Sequence, residues 1–326
     1  MGRARIKNRH LPRWMHHKHG AYYFVRAGKW LRLSNEYGPA LIEYSKLVGD
    51  SPRVTTVEHA ILHYMGASAD RLAPATLEGY RISAERLIPV FGHVALDALT
   101  PADVYRYLIE HGNVQANRDK ALLSAAYSEA RRIGAFSGDD PAKGLHYRNP
   151  EKPRERYVTD DEFARILAAA SPKLATIARF IELTGTRQSD ALRVKLSDID
   201  DEGIHYAQGK TGKRLVVTWS DELRAVVADA NRLWRRFGRA YLFESKPRGK
   251  HHKQKPGPYT PSGLRALWRV AREKAGLPDV RLHDLRGKAG SDLPSLSAAQ
   301  KLLGHSDAKV TARHYRRKPE RVPPTR

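Results

Sequence analysis

The spacing of apolar positions changes along the chain. Two short runs, Tyr22–Val25 and Trp30–Leu33, are rich in aromatic and branched residues and are split by Ala27-Gly28. Such runs read as two strands joined by a turn. A helix is predicted next, from Pro39 to Leu47. From residue 55 to about 146 the pattern is helical throughout. Leu77, Tyr80, Ala84, Leu87 and Phe91 recur every three or four residues, which places them on one helix face. Thr100-Pro101 reads as a helix start with proline at the first helical position, and Val104, Tyr107 and Leu108 form the apolar face that follows. A third helix is predicted over about 117–133, where Ala121, Ala125 and Ala126 permit close packing, and Asp139-Asp140-Pro141 ends it.

Residues 147 to 157 are basic, carry prolines and hold few apolar positions, the composition of a linker. Thr159 with Glu162 is a capping box for the next helix. Beyond it, helices are predicted at 159–170, 173–184, 188–193, 220–237 and 260–275. Between them Gly203 to Thr218 reads as a hairpin turned at Thr211-Gly212, and Pro319 stops any helix in the tail. The sum is a mainly α chain with small β elements, an α+β class. Its expected parts are a sheet unit at 1–50, a helical bundle at 55–146, a linker at 147–157 and a mixed helix-and-hairpin domain at 158–326.

Composition narrows the function. The chain has 326 residues, 41% of them hydrophobic, and a net charge of +23. That is enough apolar content for folded cores, and no run approaches the length of a membrane-spanning helix. The basic N-terminus has no apolar stretch behind it, so it does not read as a signal peptide, and Ile6 stands where a myristoylation signal needs Ser or Thr. Cysteine is absent. This excludes disulfides and zinc–thiolate sites and fits a reducing cytoplasm. A charge of +23 points to a polyanion, with nucleic acid bound through phosphate neutralisation. Every charged residue before Glu36 is basic, Arg3, Arg5, Arg9 and Arg13 among them, so this segment is a candidate DNA contact. His16, His17 and His19 match no zinc spacing and read as part of a basic loop.

The chemistry concentrates between Arg281 and Tyr315. His283-Asp284-Leu285-Arg286, Leu303-Gly304-His305 and Tyr315 fall there in order. An arginine fork holds two phosphate oxygens, a histidine moves or donates a proton near neutral pH, and a tyrosine hydroxyl can attack phosphorus. Upstream stand Leu183-Thr184-Gly185-Thr186-Arg187 and Gly209-Lys210-Thr211-Gly212-Lys213-Arg214. With both halves in place the chain resembles the tyrosine recombinases, or phage integrases. The resemblance covers residues 152 to 326 strongly and the rest more loosely. It implies a catalytic set of Arg187, Lys210, His283, Arg286, His305 and the nucleophile Tyr315, with Lys213 and Arg214 as DNA contacts. It also implies that residues 1–50 resemble an arm-binding domain, that 55–146 resemble a core-binding domain, and that the linker joins two jaws of a clamp around DNA. Implied partners are double-stranded attachment-site DNA, three further copies of the chain in a tetramer, and accessory DNA-bending proteins. The implied setting is a bacterial cytoplasm. No metal or other cofactor is implied, because a phosphotyrosine stores the bond energy.

Two positions depart from the family pattern. Tyr315 lies ten residues after His305, where many members have nine, so one extra residue must be absorbed, in the preceding loop on this reading. Thr186 occupies a place where a larger apolar residue is common. Other signals read as decoys. Gly203 to Thr211 nearly matches a nucleotide-binding loop but has five residues between its glycines and no helix after it. Asp198, Asp200 and Asp201 fall in a polar turn, and His251-His252 in a basic loop. Three alternatives share the features: a type IB topoisomerase, a chromosome-dimer-resolving recombinase, and a non-catalytic DNA-binding protein. The arm-like segment argues against the second, and the full set of boxes against the third.

Overall fold

The computed structural model describes residues 11–49, 54–235, 239–245 and 257–319. The chain divides into two compact units, 1–152 and 153–326. It is mainly helical with small antiparallel sheets.

The first unit opens with three antiparallel strands in sequential order, β1 (Met15–Lys18), β2 (Ala21–Arg26) and β3 (Lys29–Ser34). The two returns are His19-Gly20 and Ala27-Gly28, all four residues with positive φ, the pairing that suits the right-handed twist of adjoining strands. β1 corrects the sequence reading, which put His16 and His17 in a loop. A four-residue strand with one buried apolar residue, Met15, is too short for alternation to reveal. Phe24 packs edge-on against Tyr44 of α1 (Tyr37–Gly49), and Tyr22 against Tyr37. Four helices follow: α2 (Val57–Ser68), α3 (Pro74–Phe91), α4 (Pro101–His111) and α5 (Val114–Arg132). The sheet and α1 share one apolar core with α2–α5, so segments read separately from the sequence pack as one unit. α1 and α2 cross closely because Gly66 has no side chain; a Cβ there would stand 2.5 Å from the Ser45 carbonyl oxygen. Asp119, buried in the same bundle, accepts from Arg86, Tyr107 and Gln115 and so ties α3, α4 and α5 together.

The second unit runs α6 (Asp160–Ala169), α7 (Pro172–Thr184), the single turn α8 (Gln188–Ala191), a 3-10 turn at Leu196–Asp198, then the hairpin β4 (Gly203–Ala207) and β5 (Arg214–Thr218). After it come α9 (Asp221–Leu233), the short pair β6 (Glu244–Ser245) and β7 (Gly257–Pro258), α10 (Pro261–Lys274), α11 (Asp284–Asp292), α12 (Leu296–Leu303) and α13 (Ala308–Tyr315). The predicted helix over 220–237 stops at Leu233, where Trp234 donates its indole N–H to the Glu244 carbonyl, 2.7 Å away. Phe180 and Ile181 of α7, Val226 of α9, Trp268 of α10 and Leu285 of α11 meet in a second apolar core. Both ends of the expected linker are held. Asn149 is buried and bonded to Asn117 and to the Leu108 carbonyl, while Arg156 pairs with Glu162 and Asp279. Arg154 and Arg156 are thus partnered within the second unit, while Arg148, Glu151, Lys152 and Glu155 are exposed, as linker composition suggests.

Candidate active site

The site is built around a buried cation. Arg286 is 1% exposed, on the first turn of α11. Its guanidinium donates to the carbonyls of Gly185 and Leu303, the latter at 2.7 Å. Leu303 is the last residue of α12, and Gly185 caps α7 in the left-handed conformation with φ 59°. Helix C-termini carry unpaired carbonyls and partial negative charge, so two of them converge on one guanidinium. Gly185 is also fixed by packing, because a Cβ there would meet Leu303 and Leu302 at 3.1 and 3.2 Å. Beside it Thr186 is buried and shares a hydrogen bond with Thr184, 2.9 Å between hydroxyls. This bond satisfies a polar group at a position where apolar residues are common.

Arg286 Nη2 also lies 3.1 Å from His305 Nε2, and His305 Nδ1 lies 2.8 Å from Thr311 Oγ1. Burial, then the charges of Arg286, Arg187 and Lys213, push the His305 pKa down to about 4. The ring is therefore neutral at pH 7 in this arrangement. Arg187 opens α8 and donates to the Gln208 side-chain oxygen at 3.0 Å. Gln208, buried, donates in turn to the Leu303 carbonyl at 2.9 Å. One backbone oxygen thus links both arginines. Lys210 lies in the turn between β4 and β5, solvent-exposed, and its side chain makes no hydrogen bond or ion pair with a described residue.

Tyr315 ends α13. Its hydroxyl is 3.4 Å from His283 Nε2, its ring centroid is 4.8 Å from that of His305, and the Arg286 guanidinium carbon is 5.3 Å from the ring centroid. The surrounding protein, and then Arg286 and Arg317, hold His283 below the usual histidine pKa, although the residue keeps an open face. After Tyr315 the helix closes on a C-terminal bond. Arg316 N–H bonds to the Thr311 carbonyl, five residues back and 3.2 Å away, where an α-helical bond spans four. Asp284, buried at the start of α11, accepts from Arg154 and Arg317, and from the backbone N–H of Arg281. Ser291 Oγ donates to the Tyr315 carbonyl and accepts from Arg317 N–H.

The sequence matches the phage integrase family over residues 156–321. The chain belongs to that family. Among characterised phage integrases, that of Escherichia phage P2 is 30% identical over 116 residues, 36% of this chain and 34% of the relative. That of Escherichia phage HK022 is 28% identical over 225 residues, 64% of this chain and 59% of the relative. The aligned stretches therefore span under two thirds of these relatives. A solved lambda integrase tetramer bound to a Holliday junction has the same fold, with a TM-score of 0.67 at 21% identity, over 96% of this chain and 98% of that one.

Within this phage integrase fold, Arg187, His283, Arg286, His305 and Tyr315 come together, while Lys210 lies exposed on its turn. Lys213, expected as a DNA contact, acts electrostatically on His305, and Arg214 is exposed on β5. In the other unit Arg13 stacks over Trp14 at 4.7 Å, whereas Arg3, Arg5 and Arg9 lie outside the described residues, as do His251 and His252. Asp200 pairs with His205 at 2.9 Å, and no group of three or more metal-ligating side chains occurs among the described residues. The sequence reading missed Gln208, Asp284 and Thr311. Asp284 stood inside the His-x-x-Arg box, and Thr311 is one helical turn before Tyr315, but neither spacing announces a buried hydrogen bond. It also missed Arg265, Arg269 and Arg272 of α10, which line an open groove of about 730 Å³ together with Arg187, Arg281 and His283. Their spacing of four and three was a readable signal of a shared helix face.

Proposed function

We propose that this chain is a site-specific DNA recombinase that cuts and rejoins DNA through a 3′-phosphotyrosine bond. The observation that carries the reading is the convergence of Tyr315, His283, His305 and Arg286 within contact distance, with Arg187 joined to Arg286 through Gln208 and Leu303. Arg286 Nε is buried and has no acceptor among the described residues; a phosphoryl oxygen supplies one. In the proposed reaction Tyr315 Oη attacks phosphorus as His283 Nε2 takes its proton. Arg187, Arg286 and His305 stabilise charge on the non-bridging oxygens, the largest contribution in reactions of this type. Lys210 protonates the departing 5′-oxygen, and ligation is the reverse attack by a 5′-hydroxyl.

The arginine-lined groove beside Arg187 and His283 supports duplex DNA as substrate, since guanidiniums on one helix face neutralise successive phosphates. On the same reading, residues 1–50 contact arm-type sites, 55–146 contact the core site, and 158–326 catalyse. Four copies act on two duplexes, with DNA-bending proteins as accessories. The deciding experiment uses a nicked substrate that traps the covalent intermediate. Wild-type protein forms a denaturant-stable adduct and Tyr315→Phe forms none while still binding DNA. An adduct with Tyr315→Phe would remove Tyr315 from the mechanism.

A further inference from the structure

We propose that Thr311 is a positioning residue for His305, and that its hydroxyl lets the ring reverse its hydrogen-bonding sense when a phosphodiester enters. The proposal rests on the reading of the site given above. His305 lies between two partners, Arg286 Nη2 at 3.1 Å from Nε2 and Thr311 Oγ1 at 2.8 Å from Nδ1. A guanidinium has N–H groups and no acceptor. Arg286 therefore donates and His305 Nε2 accepts. The proton of the neutral ring is on Nδ1, and Thr311 Oγ1 accepts it. Thr311 is fully buried, so its hydroxyl is sealed from solvent on this side of the ring.

Stabilising a phosphoryl oxygen requires the opposite sense, with an N–H on Nε2. Once Arg286 turns to the phosphate, Nε2 loses its donor. The ring stays neutral overall: as the site opens to admit DNA, the proton on Nδ1 leaves to water and another arrives from water at Nε2. Nδ1 then needs a donor. A backbone carbonyl or carboxylate in the place of Thr311 only accepts, and would lock the proton on Nδ1. A hydroxyl both accepts and donates, so Thr311 serves either form by rotating its O–H. Thr311 is also four residues before Tyr315 in α13, on the same side of the helix. One helix thus carries both the nucleophile and the group that orients His305.

Two substitutions separate this role from packing. Thr311→Val keeps the shape and removes the hydroxyl; Thr311→Ser keeps the hydroxyl and removes a methyl group. Adduct formation on the trapping substrate is expected to slow about tenfold or more in Thr311→Val, the scale set by an unpaired buried polar group. Thr311→Ser should stay within about threefold of wild type, and both should bind DNA normally. The reverse order, with Val normal and Ser slow, would show a packing role and overturn the proposal. If Thr311→Val does not fold, Thr311→Ala removes the hydroxyl without adding bulk and is read the same way. A second readout needs no DNA. Imidazole ¹⁵N shifts of the free protein should show His305 protonated on Nδ1, the sense in which Arg286 donates to Nε2 and Thr311 accepts from Nδ1. A free protein with His305 protonated on Nε2 overturns the proposal even if wild type forms no adduct, an outcome that would count separately against the recombinase reading.

Discussion

Among single residues, Lys210 stands apart from the other members of its set. Arg187, Arg286 and His305 are held by buried partners, whereas Lys210 is exposed on a turn. A cation in that position either delivers a proton once DNA is in place or merely contacts a phosphate. Replacing the bridging 5′-oxygen of the substrate with sulfur distinguishes the two, because a thiolate leaves without a proton. Lys210→Ala should be ~10²–10⁴-fold slower on ordinary DNA, the usual contribution of a general acid, and near normal on the sulfur substrate. Equal defects on both would leave Lys210 as a phosphate contact. The five meeting residues were all legible in the sequence, because each belongs to a short box of fixed order. Gln208 and Asp284 were not, because their importance depends on what is buried beside them. A glutamine before a Gly-Lys pair looks like any turn residue until its amide is found joining Arg187 to Leu303.

At the scale of elements, the ends of helices do more than their lengths. α7 and α12 both end in left-handed glycines, Gly185 and Gly304, and both offer carbonyls to Arg286. Gly304 has φ 66°, and a Cβ there would lie 2.4 Å from Gln208 Nε2 and 2.8 Å from Leu215 Cδ1. Gly304→Ala therefore combines a strained backbone with displacement of Gln208 from the Leu303 carbonyl. It should lower stability by about 1–2 kcal/mol and slow adduct formation more than it weakens DNA binding, as measured by a melting curve and by cleavage at saturating DNA. Unchanged cleavage would mean that Gln208 does not hold Arg187 for the reaction. Most helices were readable from apolar period and caps: the helix start read at Thr100-Pro101 and the capping box read at Thr159 are both formed.

For the whole molecule, the first unit matters most. Its sequence set residues 1–50 apart as a sheet unit and candidate DNA contact, but charge does not reveal a shared core. Met15, Leu41 and Tyr44 are buried in the same cluster as Val57, Ile61 and Met65. Deleting residues 1–49 should therefore unfold the first unit, seen as loss of its helical signal and cooperative melt. Neutralising surface charge tests DNA contact without that damage. Register places His16, Tyr23 and Arg32 side by side, next to Trp30, which is 51% exposed with Lys18 stacked on it at 5.5 Å. Changing Lys18, Lys29 and Arg32 to glutamine should leave the melt unchanged. It should flatten the plot of log affinity against log salt by roughly 0.9 for each phosphate no longer neutralised. An unchanged slope would place the DNA elsewhere on the unit.

The carbonyl oxygen of Leu303 accepts from Arg286 directly and from Gln208, which holds Arg187. In mechanical language it is a common pivot for two levers that stand far apart in the chain. Levers on separate mounts drift independently, and the gap between their tips wanders with every fluctuation of the frame. On a shared pivot, a displacement of the mount carries both tips the same way and leaves their spacing alone. The tolerance that matters for gripping a phosphate is that spacing, and here it hangs on the position of a single peptide oxygen.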